Sequence, residues 1–242
     1  MDVRYAAAYG GLARSHWWWI ARDRMVLRTV AVLMPGDRRG RVLDIGCGDG
    51  RLLDLLADGA DVVGIESDAA TISPLVPGRY PIHLAPFAAP LPIEGPFDIV
   101  LMLDVLEHLA DPVAALRLAR SLLAPGGSLV ITVPALPALW TSHDDLNHHF
   151  RRYTRDSLDH ELRDAGLGIV SARYFFHALG LAKLGVRAFE RSREAAPRLP
   201  QVPPRFVNAI ARAYSMFEYR VTAPFARLLP GSSLMAVASN AA

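Results

Sequence analysis

RVLDIGCGDG, residues 41–50, decides the fold. Val42, Leu43, Ile45 and Cys47 are interrupted by one acid, Asp44, and then by glycines at alternate positions, Gly46, Gly48 and Gly50. The pattern reads as a buried strand running into a loop of bare backbone. Glycine has no Cβ, so it takes positive φ readily and lets a ligand approach the main chain. Leucines 52, 53, 55 and 56 make the next run, residues 51–58, a helix whose N-terminus adds unpaired N–H groups to the loop. The spacing is G-x-G-x-G, where a dinucleotide fold uses G-x-G-x-x-G, and this argues against NAD. The following apolar run, residues 61–65, ends in Glu66, twenty residues after Gly46, where a second parallel strand would bring a carboxylate to ribose hydroxyls. A ligand with an α-ammonium group, a ribose and no pyrophosphate suits Asp44 and Glu66 together. A glycine-rich turn without a ligand is the plainer alternative.

VLDIGCGDG resembles the first motif of the class I S-adenosylmethionine-dependent methyltransferases, in their type 11/12-like branch. The resemblance implies S-adenosylmethionine as cofactor and an α/β fold with a doubly wound, mostly parallel seven-stranded sheet of Rossmann-like kind. It further implies cofactor contacts from Asp44, Gly46, Cys47, Gly48, Glu66, Ser67, Phe87, Leu103 and Asp104. The reaction implied is transfer of the sulfonium methyl to an O, N or C nucleophile on a small-molecule or lipid-linked acceptor. An NAD(P) oxidoreductase and a non-catalytic interaction subunit at a membrane surface are the competing classes.

At 242 residues the chain can build one α/β domain with a full core and a modest elaboration. Net charge is +2, so charge gives no case for a nucleic-acid partner. The single cysteine, Cys47, excludes an internal disulfide framework and reads as a small residue packed under the loop. Arg14, His16, Arg22 and Arg24 interrupt the first apolar cluster, and no stretch is long enough to span a bilayer. A cytoplasmic protein is expected, with peripheral contact to the inner membrane face through residues 177–230 left open.

Residues 1–40 are expected to form a helical lid. Ser15 to Met34 carries apolar residues at helical spacing and is stopped by Pro35 and Gly36. Neighbours on a helix diverge by about 100°, so Trp17, Trp18 and Trp19 cannot all face one core. At least one should look into a pocket, a partner or a lipid surface. HWWWIAR is similar to an N-terminal H-x-W-W/F-x-x-R pattern in one methyltransferase branch, where the helix lids the cofactor; plain packing on the sheet edge is the alternative.

The cofactor-binding core is expected over residues 41–176. Pro74, Pro77, Pro81, Pro86, Pro90, Pro92 and Pro96 crowd one region, leaving room for a brief third strand at Ile82 to Leu84. The family's acid after this strand is missing, which leaves Phe87 to stack on adenine or to donate its N–H. Phe97 to Leu103 is a near-continuous apolar strand and should be central. Asp111 and Pro112 look like the N-cap and first residue of a helix through Leu123, ended by Gly126 and Gly127, before a fifth strand at Ser128 to Val133. Ligands sit beyond the carboxyl ends of such strands, which places Asp104, Glu107 and His108 on the active edge. Three readings of this D-x-x-E-H remain. Glu107 and His108 lie between cofactor and substrate; or they bond loop backbone; or, by likeness to the E-x-x-E-H of some quinone-type O-methyltransferases, they hold a divalent metal. Mg²⁺ prefers oxygen ligands, and no metal is assigned.

Residues 140–153, WTSHDDLNHHFRRY, follow a strand's carboxyl end and make a candidate substrate loop. His143, His148 and His149 match no compact zinc spacing. The run resembles the H-D-x-x-x-x-H-x-R-R-Y signature of a branch in which it covers the acceptor, with His143, Asp144, His149, Arg151, Arg152 and Tyr153 matching. A His–Asp pair drawn from His143, Asp144 and His149 could take a proton from an acceptor hydroxyl. Arg151 and Arg152 could hold an acceptor carboxylate or phosphate, with Tyr153 and His108 beside them, or they tie the loop to Asp156, Asp159 or the sheet edge.

Thr154 caps an expected helix to Ala165, closed by Gly166, and Gly168 to Phe176 is the sixth strand. Residues 177–230 form a helical insertion, with helices expected at Ala178 to Arg193 and Phe206 to Leu229, split by Pro197, Pro200, Pro203 and Pro204. The last strand, Ser233 to Ala238, falls in the closing segment, residues 231–242. The insertion is expected to leave the sixth strand at the end opposite the glycine loop and to fold back over it. Its basic and apolar mix suits either two packed cap helices or an interfacial surface.

Overall fold

The computed structural model describes residues 10–36, 38–72, 79–192, 201–226 and 228–240. Its elements run α1 (Trp17–Leu33), β1 (Gly40–Ile45), α2 (Arg51–Leu56), β2 (Ala60–Glu66), β3 (Ile82–Leu84), β4 (Phe97–Leu103), α3 (Pro112–Ser121), β5 (Leu123–Pro134), α4 (Ser142–Leu146), α5 (Arg155–Asp164), β6 (Leu167–Phe175), α6 (His177–Ser192), α7 (Arg205–Val221) and β7 (Ser233–Asn240). Pro74, Pro77, Pro197, Pro200 and Arg193, the expected end of the first insertion helix, lie outside the described residues.

β1 carries its apolar residues on both faces because both faces are covered. It pairs in parallel with β2, Val42 opposite Val62, and with β4, Val42 opposite Ile99. One sheet of seven strands results, in the order β3-β2-β1-β4-β5-β7-β6. Leu43, Ile45, Val100, Met102 and Ile131 pack on one face with residues of α3 and α5. Val42, Ile99, Leu101 and Val130 pack on the other with Met25, Val26 and Val30 of α1 and Met216 of α7. The order reverses between β1 and β4, and this switch point opens a crevice beyond their carboxyl ends.

The caps hold as the chain composition implies. Asp111 accepts a hydrogen bond from Ala114 N at 2.9 Å, and Thr154 accepts one from Ser157 N at 3.1 Å. α3 ends at Ser121, short of the expected Leu123, because Phe97 N bonds the Leu122 carbonyl and Leu123 already pairs with Phe97 in the sheet. α7 ends at Val221 and not at Leu229. Pro224 cannot continue an α-helix, and a short 3₁₀ turn, Ala223–Phe225, follows.

β7 is antiparallel to both β5 and β6, so β6 runs parallel to β5. The carboxyl end of β6 therefore lies on the same edge as the glycine loop, which corrects the expectation that the insertion leaves from the opposite end. Phe175 and Pro134 both face Ser233, where β7 begins. The insertion fills a β6–β7 hairpin end and both leaves and returns at the crevice. A Cβ on Gly231 would collide with the Phe175 carbonyl oxygen, so the two limbs close on each other there with no room for a side chain.

Two polar clasps fix the helices above the crevice. Glu218 of α7 accepts from the N–H groups of His177 and Ala178, at 2.9 and 2.8 Å, which satisfies the start of α6. Asn208 accepts from Trp17 N and donates to the Ser15 carbonyl, both at 2.7 Å, which joins α7 to the start of α1 across 191 positions of sequence.

Candidate active site

Beyond Ile45 the chain turns through Gly46, Gly48 and Gly50, at φ of +71°, +57° and +72°. A Cβ on Gly46 would lie 2.7 Å from Val105 Cγ2, so a side chain there is excluded by space as well as by backbone. Gly46 and Cys47 donate their N–H groups to the Ile65 carbonyl, pulling the loop against the end of β2. Glu66 then turns back: one carboxylate oxygen accepts Gly48 N at 2.9 Å, and the other accepts Ser67 N at 2.7 Å and Asp68 N at 2.9 Å. These three donors fix the carboxylate in one orientation between the two loops.

A cavity of about 810 Å³ opens from this point along the strand ends. Gly46, Gly48, Glu66, Ser67 and Phe87 line one end, and His108, His143 and His149 line the other. Leu103 and Asp104 stand between them. Asp104 has φ of +57°, donates its N–H to the Thr132 carbonyl at 2.8 Å, and accepts from Arg22 Nη1 of α1 at 2.6 Å. A non-glycine residue in the left-handed region is held there by its surroundings, here at the switch point. All three tryptophans of α1 also line the cavity, with Arg22 over the Trp18 ring at 5.4 Å, so α1 roofs the site.

Asp44 and Cys47 lie behind the loop in a small cleft, rather than on the main cavity wall. One oxygen of Asp44 is buried with no partner among the described residues. Burial pushes its carboxyl up to about 7, Arg22 opposing and Glu66 adding to the rise. Burial, reinforced by the Asp44 and Glu66 charges, also pushes the Cys47 thiol up, which makes it inert as a nucleophile.

At the far end Asp144 organises the loop. Its carboxylate closes a capping box on Thr141, accepts Arg152 Nη1 at 3.0 and 3.2 Å, and meets His149 Nδ1 at 2.9 Å. Burial alone would raise its pKa, but the His149 hydrogen bond and the Arg152 charge outweigh this and hold it well below the usual carboxylate range. An ionised Asp144 only accepts, so His149 carries its proton on Nδ1 and leaves the Nε2 lone pair free of that bond. The His149 ring packs edge-on to His108 at 4.7 Å. Burial and neighbouring His149 take His108 down to about 3, and burial with Lys183 takes His143 down to about 4. Both rings are therefore neutral near pH 7.

Of the acceptor residues expected from sequence, His108, His143, Asp144, His149 and Arg152 line the cavity. Asp144 pairs with His149, while the His143 ring lies 3.3 Å from Asn147 Nδ2. Arg152 is fully engaged: besides Asp144 it donates to the Ala135, Leu139 and Ser232 carbonyls. Arg151 and Tyr153 turn away from the cavity. Arg151 donates to the Leu109 and Ala110 carbonyls and reaches Glu161, and the Tyr153 hydroxyl points to the Leu106 carbonyl. These contacts tie the loop to its neighbours, although the partners are not the Asp156 and Asp159 that proximity in sequence suggested. Arg22, the last residue of the HWWWIAR pattern, also lines the cavity, as do Thr71 and Lys183, which carried no sequence signal. Glu107 is fully buried, with one oxygen lacking a partner among the described residues, and burial followed by the Asp104 charge raises its pKa well above normal. Ligand atoms of Glu107, His108 and His149 lie within 4.8 Å of one another, a geometry that could admit a metal ion.

Comparison with known proteins agrees with this architecture. Residues 18–172 match the model of a methyltransferase domain family. A Mycolicibacterium smegmatis protein named as a probable S-adenosylmethionine-dependent methyltransferase is 33% identical over 184 residues, covering 73% of this chain and 69% of that protein. A ubiquinone biosynthesis O-methyltransferase of Cereibacter sphaeroides is 41% identical over 97 residues, and the chain spans only 39% of its length and 37% of its own. A solved S-adenosylmethionine-dependent methyltransferase from Archaeoglobus fulgidus superposes with a TM-score of 0.57 over 89% of this chain and 93% of that one; at 19% identity the likeness is one of fold.

Proposed function

The chain belongs to the class I S-adenosylmethionine-dependent methyltransferase family, and on that footing we propose that it methylates a hydroxyl of a small-molecule or lipid-linked acceptor, with His149 as general base. The support is the Asp144–His149 pair opening into the same cavity as the glycine loop and Glu66. The bound cofactor supplies an electrophilic methyl group on sulfur. In this reading Glu66 holds the ribose, the loop backbone at Gly46 and Gly48 lies along the methionyl part, and Asp44 faces the ammonium group from beneath. Phe87 is left to the adenine. Asp144 fixes the ring and tautomer of His149, whose Nε2 takes the acceptor proton as the oxygen attacks. His143, with its weakly basic ring, and Arg152, with its donors spent, shape the pocket. The tryptophan roof excludes water, and alignment of this kind can be worth roughly 10⁵–10⁸ M in effective concentration.

Methyl transfer from labelled S-adenosylmethionine to a panel of phenols, quinols, sugar hydroxyls and lipid-linked hydroxyls tests the reading, with amines and carbon acids as controls. Labelling confined to the controls would overturn the oxygen acceptor. Cofactor affinity should also climb with pH. The carboxyl of Asp44 titrates near 7 in the free protein, and a cationic ligand favours its ionised form, so binding expels a proton below that point. Calorimetry should show affinity rising by up to about tenfold per pH unit below 7 and levelling above it, and Asp44→Asn should flatten the profile.

The Glu107, His108 and His149 cluster favours a second reading, in which a divalent ion binds the acceptor oxygen. Two imidazoles and one carboxylate suit zinc-like ions better than Mg²⁺. Dialysis against a chelator discriminates: turnover should survive it if His149 is the base, and a loss restored by added metal would select the ion.

A further inference from the structure

α7 wears its apolar face outward. Phe206, Val207, Ile210, Tyr214, Phe217 and Val221 are all exposed, Phe206 at 76% and Phe217 at 63%. At about 100° per residue these six fall within a single arc of roughly 100°. Outside that arc Ser215, Met216 and Glu218 are buried. Phe225 and Leu228 extend the stripe past the helix end, at 60% and 82% exposure. A contiguous aromatic and aliphatic strip of this kind left in water marks a docking surface.

Charge identifies what it docks on. Residues 177–230 hold nine Lys and Arg against three Asp and Glu, a net +6, so the other 188 residues carry −4 of the overall +2. One of the three acids, Glu218, is buried on the α6 N-terminus and adds nothing outside. Among the described side chains of α6 and α7, Lys183, Arg187, Arg205, Arg212 and Arg220 stand against Glu218 alone, so a second copy of the chain would set like charge against like charge. An anionic bilayer meets both properties at once: the aromatic strip enters the headgroup boundary while Arg220, exposed and about 40° from the edge of the strip, meets lipid phosphates. The acidic remainder is held off the same surface, which sets one orientation. No described helix is long and apolar enough to cross a membrane, so the contact is interfacial. α6, which lines the cavity with Leu179 and Lys183, is clasped to α7 through Glu218, and docking would bring the cavity's acceptor end toward the lipid.

We propose that the outer face of α7 docks this protein on anionic membrane, with Phe206, Ile210, Phe217 and Val221 inserted and Arg220 on the headgroups. The inference does not rest on the acceptor chemistry, since its test reads association and not turnover. Full-length protein is sedimented with vesicles of phosphatidylcholine alone or with about one third phosphatidylglycerol. Binding should be at least about tenfold stronger to the anionic vesicles and should weaken in high salt. The pair Phe206→Ser and Phe217→Ser should lower it about tenfold or more, and Arg220→Glu severalfold, while S-adenosylhomocysteine affinity stays unchanged as the control for folding. Failure to sediment with anionic vesicles, equal binding to both compositions, or indifference to the phenylalanine pair and to Arg220→Glu would overturn the proposal. So would a concentration-dependent dimer that the Phe206 and Phe217 pair abolishes, or capture of an acidic protein through the strip without lipid binding.

Discussion

Gly48→Val is expected to raise the dissociation constant for S-adenosylmethionine by at least about a hundredfold, with the circular dichroism spectrum of the fold retained. Gly48 sits at φ of +57°, on the cavity wall, and gives its N–H to Glu66. A β-branched residue resists that conformation by roughly 1–3 kcal/mol. Relaxing the loop to suit valine would withdraw one of the three donors that orient Glu66, and the added methyl groups would occupy the surface that a ligand must approach. The loop lies above the sheet, so the apolar packing of β1 with β2 and β4 need not change. Isothermal titration with S-adenosylhomocysteine measures the loss. Unaltered affinity in a folded variant would put the cofactor somewhere other than this loop.

His149→Ala should lower kcat by about 10²–10⁴-fold, the usual range for loss of a positioned base, while cofactor affinity stays within about twofold. The expectation rests on position: His149 stands at the end of the cavity away from Glu66 and reaches the site through Asp144. His143→Ala should cost far less, because a neighbour with a pKa near 4 is a feeble base at neutral pH. Asp144→Asn is a less clean probe, since it strips the buried Arg152 of its counter-charge and should destabilise the protein by about 3–5 kcal/mol. Single-turnover rates on an identified acceptor decide the matter. Full turnover in the His149 variant would return the loop to a purely structural role.

The cofactor half of the molecule was legible in the sequence because its determinants are local. A strand ending in spaced glycines dictates its own loop, and the twenty-residue interval from Gly46 to Glu66 is one βαβ repeat, which the register of β1 against β2 realises. The acceptor half depends on contacts between distant segments. Which histidine Asp144 would choose could not be read from HDDLNHH, where His143 is adjacent and His149 five positions away. On a short helix, neighbouring side chains diverge, and the turn after α4 swings His149 back over the carboxylate. Arg152 looked like an acceptor ligand because sequence shows a charge but not its burial. The path of the insertion was misjudged for a topological reason: the direction of β6 follows from its pairing with β7, which begins fifty-eight positions beyond its end, and no local pattern encodes that.

The Asn208 clasp has a meaning for the order in which the chain is made. α1 precedes the sheet in the chain, yet several of its partners lie far downstream: Asn208 satisfies the backbone at Trp17 and Ser15, Met216 packs with Met25 in one cluster, and Met235 of β7 receives the Thr29 hydroxyl. Arg22 can meet Asp104, and Trp17 and Trp18 can meet Phe176, before α7 is made, but the start of α1 stays unclasped until residue 208 has emerged. A nascent chain stalled before residue 205 would hold the glycine loop and β1 to β6 under a roof fastened through Arg22 and Phe176 but lacking its clasp at Trp17 and Ser15. Synthesis of α7 and fastening of the first turn of the roof are thereby made one event.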